Sequence, residues 1–137
     1  MATFILIHGA WHGGWCWERV TPLLEAAGHH VLAPDLPGMG ADRRALGADP
    51  LTDWADFTAE LILGAEAPVV LVGHSRGGLV ISEAAERVPE RIARLVYLTA
   101  FLLKPGESLG DVSARHPEVG PGPAIRPHPV DSSGRWR

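Results

Sequence analysis

The chain has 137 residues, 46% of them hydrophobic, and a formal charge of −4. That length suits one domain and excludes two well-formed ones. The mildly acidic balance comes without a Lys/Arg cluster, which argues against a nucleic-acid partner, and no apolar run is long enough to span a bilayer, so no membrane partner is expected.

In chain order, residues 3–8 read as a buried strand, followed by the loop Gly9-Ala10-Trp11-His12-Gly13-Gly14. The start Met1-Ala2-Thr3-Phe4 carries neither a basic region nor a cleavage site of small residues, so a cytoplasmic location is expected. Residues 15–27 have helical spacing, with Val20, Leu23, Leu24 and Ala27 on one face and Gly28 as a C-terminal cap. The single cysteine, Cys16, lies between Trp15 and Trp17 and is expected to pack rather than react.

Residues 30–34 read as a second short strand, and residues 35–40 as a turn-rich loop in which Asp35 bonds the backbone. Thr52 is expected to cap a helix over residues 53–63, with Trp54, Phe57 and Leu61 on its apolar face. A third strand over residues 68–73 leads into a helix over residues 76–88, which Pro89 closes. Residues 94–99 read as a fourth strand. Alternating helices and continuously apolar strands predict an α/β fold: a mostly parallel sheet of about four strands flanked by helices. Residues 1–115 form the folded part. From His116 onward turn formers replace periodicity, so residues 116–137 are expected to form a Pro/Gly-rich disordered tail.

The most informative segment is Gly73-His74-Ser75-Arg76-Gly77-Gly78, which leaves an apolar strand and opens a helix. Gly-x-Ser-x-Gly in that context is a nucleophile elbow: a sharp turn that lifts the serine hydroxyl above the sheet. Ser75 is therefore the candidate nucleophile. An oxyanion formed on attack needs N–H donors, and the backbone of Arg76, at a helix N-terminus, supplies one. The glycine-rich first loop is the expected source of the other, with Ala10 the preferred position. His8, Gly9, Trp11, His12 and His74 are the candidate substrate-contacting residues; a structural role is the alternative for His8 and His12. The His74 side chain is expected to point away from the hydroxyl. No metal-ligand spacing pairs these histidines with a carboxylate, and neither metal nor cofactor is expected.

On Phe4–Trp15, Val31–Gly40 and Val70–Gly78, the chain resembles the α/β-hydrolase superfamily, and within it the plant methylesterase and hydroxynitrile-lyase group with its bacterial esterase relatives. The resemblance implies a partial α/β-hydrolase fold, Ser75 as nucleophile, and Ala10 and Arg76 as oxyanion donors acting on a small ester. Lyase members place a hydroxyl residue where this chain has Gly9, so cyanohydrin cleavage is the lesser alternative.

A serine needs a base oriented by an acid, and in this superfamily both follow the serine in the chain. Only His116 and His128 follow Ser75, both in the tail. The triad partners are thus expected to be missing and the chain to be truncated after its fourth strand. Loss of a triad histidine typically costs about 10⁶ in turnover, leaving roughly 10³–10⁴ over water. An inactive hydrolase-fold fragment or a small-molecule-binding module is the competing reading, and an out-of-frame tail a third. The superfamily's strand order, second-first-third-fourth, makes residues 94–99 an open apolar edge through which self-association is expected.

Overall fold

Three continuous apolar runs decide where the sheet lies. The computed structural model describes residues 1–117 and forms them into four parallel strands: β1 (Thr3–Ile7), β2 (His30–Leu32), β3 (Val69–His74) and β4 (Ile92–Leu98). Their order is β2-β1-β3-β4, as the resemblance implied. Register is set by pairs such as Ile5↔Leu71 and Leu71↔Leu95, which keep branched apolar residues in line across three strands.

The helices are α1 (Thr21–Ala26), α2 (Pro50–Leu63), α3 (Gly77–Arg87) and α4 (Leu109–Arg115). One face of the sheet is well covered. There Ile5, Ile7, Val69 and Leu71 pack under Trp54, Ala59 and Ile62 of α2 and Val80, Ile81 and Ala84 of α3. The opposite face carries a smaller cluster, Leu6, Val72 and Trp17, with Phe4, Leu24 and Val70 only partly buried against it. Cys16 joins that cluster, and burial pushes its thiol up to about 11, so it packs as an unreactive residue.

Three local expectations need correction. The single helix over residues 15–27 is instead a short 3-10 turn, Gly14–Trp17, followed by α1. Pro22 is the reason: its ring would clash with the carbonyl of Glu18 in a continuous helix, so it starts a new one. Val20 and Leu23 are accordingly exposed rather than facing the sheet. Helix α2 begins three residues before the expected position. Asp49 caps it by accepting the Leu51 N–H at 3.1 Å, with Pro50 in the first turn; Thr52 donates its hydroxyl to Asp49 instead of capping. Helix α4 was not anticipated; its signal is the Ser108–Asp111 capping box, with both reciprocal bonds present. It buries no residue. Residues 118–137, most of the expected tail and including His128, lie outside the described residues. No described helix is long and apolar enough to cross a membrane.

Candidate active site

The strand order reverses between β1 and β3, since the chain leaves β1 toward β2 and leaves β3 toward β4. In open α/β sheets the crevice beyond the carboxyl ends of strands at such a point is where ligands bind. The loop after β1 carries Gly9 to Gly14, and Ser75 directly follows β3. Both candidate segments therefore meet at one place.

Ser75 has φ 55°, in the left-handed region. For a non-glycine residue that conformation costs about 1–3 kcal/mol and persists only when its surroundings enforce it. Here the enforcement is visible. The Ser75 N–H donates to Leu98 O at 3.3 Å, and the Ser75 carbonyl accepts from Phe101 N–H and Gly78 N–H, each at 3.1 Å. The end of β4 thus clamps the turn. Bare backbone is required around it: a Cβ on Gly73 would sit 2.6 Å from Gly77 O, and one on Gly77 would sit 2.8 Å from Ile7 O. Trp11 and Thr99 are the other described non-glycine residues with positive φ, at 64° and 42°, and both also follow strand ends of this rim.

The first loop is held by two histidines, in a way that spacing alone did not show. His8 is fully buried, and Leu36 N–H donates to its Nε2 at 3.1 Å. Its Nδ1 must therefore carry the proton, which it donates to Gly9 O at 2.9 Å. In a planar trans peptide the Ala10 N–H points opposite the Gly9 carbonyl, so His8 sets the direction of that donor. Burial lowers the His8 pKa, which keeps the ring neutral. Both His8 nitrogens are occupied and its ring is fully buried, which fits the structural alternative for this residue. His12 donates from Nδ1 to Ala10 O at 2.7 Å and stacks on Trp15. Gly9 lies against the serine, where an added Cβ would be 3.0 Å from Ser75 Cβ.

His74 leaves β3 on the side of Trp17, edge-on to both the Trp17 and His12 rings. Burial, then the neighbouring His12, lower its pKa. Trp11 stands 64% exposed at the tip of the loop. Asp35 bonds the backbone as expected, accepting Gly14 N–H at 2.6 Å and Ala41 N–H at 2.9 Å, which ties the first loop to the loop after β2. The Arg76 backbone N–H and the Ala10 N–H have no acceptor among the described residues. The Arg76 guanidinium lies 4.0 Å over the Trp54 ring. That cation–π stacking, worth about 0.5–2 kcal/mol, partly offsets the burial that lowers its pKa. Nothing in the spacing of Arg76 and Trp54 signalled it.

No side chain among the described residues hydrogen-bonds the Ser75 hydroxyl. Among those residues there is also no group of three or more His, Cys, Asp or Glu that could hold a metal ion. A cavity of about 610 Å³, lined by Thr3, His30, Leu32, Glu60 and Leu61 among others, opens where the strands begin. It lies at the opposite end of the sheet from Ser75 and takes no part in this geometry.

Residues 4–137 match the profile of the Alpha/beta hydrolase family. The chain belongs to that family. Salicylic acid-binding protein 2 of Nicotiana tabacum is 45% identical over 72% of this chain and 39% of its own length. A carbendazim hydrolyzing esterase of Nocardioides is 45% identical over 80% of this chain and 46% of its own. Among solved structures, a polyneuridine aldehyde esterase mutant superposes with a TM-score of 0.76 at 35% identity, over 88% of this chain and 49% of that one. This α/β-hydrolase chain thus spans half or less of the length of these relatives.

Proposed function

We propose that this chain carries the nucleophile half of a serine esterase acting on small carboxylic esters. The observation that carries the proposal is the elbow: Ser75 held at φ 55° beyond β3, beside a first loop that leaves the Ala10 N–H unengaged. Esterases among the relatives support the reaction class.

In the proposed step, Ser75 Oγ attacks the ester carbonyl carbon and its proton passes to a base. The carbonyl oxygen becomes an oxyanion that accepts from the Ala10 and Arg76 N–H groups. Collapse expels the alcohol, which takes the proton back, and leaves an acyl group on Ser75. Water then attacks the acyl carbon with the same base assisting, releasing the acid. Gly9, Trp11, His12 and His74 line the approach. The base and its orienting acid are assigned to polypeptide outside residues 1–117.

The test compares wild type with Ser75→Ala on a short-chain p-nitrophenyl ester. The proposal expects acyl transfer to Ser75, read as a p-nitrophenol burst that the variant lacks, even where turnover is slow. No burst in either protein overturns it in favour of a binding module on the hydrolase fold, a reading favoured by the unpartnered Ser75 hydroxyl.

A further inference from the structure

Arg76 follows the candidate nucleophile, and its side chain turns to the α2–α3 face, where the guanidinium carbon stands 4.0 Å from the Trp54 ring centroid. Stacking uses the flat faces of a guanidinium and leaves its N–H edges to find acceptors. None is there. Nε and Nη2 are buried without a hydrogen-bond partner, and no ion pair engages Arg76 among the described residues. Nη1 is left as the accessible corner. The carboxylates on the packed elements are engaged elsewhere. Asp35 accepts the Gly14 and Ala41 N–H groups, Asp42 pairs with Arg44, Asp53 accepts the Gly47 N–H, and Asp56 pairs with Arg87.

A buried charge left unpaired is costly, and such groups cluster at functional sites. Cation–π attraction recovers only part of that cost. The platform under the guanidinium is fixed. Trp54 is buried, its Nε1 donates to Pro37 O at 2.9 Å, and its carbonyl accepts the Thr58 hydroxyl at 2.7 Å. The cation is therefore held ready beside the turn that carries Ser75, and what it lacks is an anion. A carboxylate balances one guanidinium and binds in its plane, on one N–H edge, without disturbing the indole.

We propose that Arg76 is the specificity-determining residue of the Ser75 site, its guanidinium taking the free carboxylate of a mono-ester of a short dicarboxylic acid. The proposal rests on the esterase reading and names its substrate class. One residue then meets both ends of the acyl group: the backbone N–H at the ester carbonyl oxygen, the side chain at the far carboxylate. Adipate suits this, because its two carboxyl carbons are separated by as many bonds as Cα and Cζ of an arginine.

The test measures p-nitrophenol bursts from mono-p-nitrophenyl adipate and p-nitrophenyl hexanoate, acyl chains of equal length that differ in the terminal carboxylate. The proposal expects the adipate-to-hexanoate ratio of burst rates to be at least about tenfold higher in wild type than in Arg76→Met, the order of a hydrogen bond to a charged group. Arg76→Lys should fall between them. Binding is read separately by NMR on isotopically labelled Ser75→Ala. There monomethyl adipate should shift the Arg76 Nε–H resonance, and methyl hexanoate should not. This second measurement leaves Arg76 in place, so it decides even if Arg76→Met fails to fold. An adipate preference that survives Arg76→Met, or an Nε–H resonance that monomethyl adipate does not move, overturns the proposal. No burst from either ester with the Nε–H shift present overturns the esterase reading and leaves the carboxylate site standing; bursts with neither Arg76 effect do the reverse.

Discussion

The sharp turn at Ser75 was legible because glycines on either side advertise that backbone shape. The role of His8 was not legible, because two hydrogen bonds, one of them to a residue 28 positions away, decide it. With its pKa lowered by burial, His8 binds a proton more readily in the unfolded chain than in the folded one. Its contribution to stability is therefore fully present above the ordinary value of 6.5 and is lost as pH falls below it. Urea midpoints taken across that range should drop more steeply for wild type than for His8→Gln. Parallel curves would assign the acid sensitivity elsewhere, His74 being the other histidine lowered by burial. At Gly9 the space for a side chain is closed by Ser75 and His74. Gly9→Thr, which adds the hydroxyl residue of the lyase members, should push the oxyanion loop outward and slow acylation by about 10²-fold. An unchanged acylation rate would show that the loop does not supply a donor.

Among the elements, the strands and α3 were read correctly because continuous apolar runs bounded by glycine and proline leave few alternatives. The errors came from proline read too loosely. Pro22 and Pro50 each begin a helix, and treating the first as a helix-interior residue and passing over the second displaced both boundaries. Helices α2 and α3 then do different work. A Cβ on Gly77 meets the backbone carbonyls of Ile7 and His8 at 2.8 and 3.0 Å, and neither can move without shifting β1. Gly77→Ala should cost about 1–3 kcal/mol by overpacking and also disturb the first loop. Asp49→Ala should cost about 1 kcal/mol through the lost cap and leave the site untouched. Denaturant melts of both variants, set beside their acylation rates, separate the two effects. Loss of acylation in Asp49→Ala, or none in Gly77→Ala, would contradict this division.

In the whole molecule, strand-helix alternation made the parallel α/β sheet legible while the strand order came from the family resemblance, and how bare one face is follows from α1 being only six residues long. Trp17 of the 3-10 turn clusters with Leu6 and Val72 and Leu24 of α1 packs against them, while Val96 and Leu98 stay exposed. An apolar dye such as ANS should therefore bind the purified chain, and Val96→Lys should weaken that binding with little change in the thermal midpoint, as befits a surface site. Dye binding unaffected by Val96→Lys would place the exposed apolar surface elsewhere.

The central claim is that Ser75 forms an acyl-enzyme. The most direct measurement is peptide mapping by mass spectrometry after brief exposure of the chain to p-nitrophenyl acetate. The account predicts one acetyl group on the peptide containing Ser75, absent from Ser75→Ala. Acetylation confined to Lys104 or to histidines would contradict it.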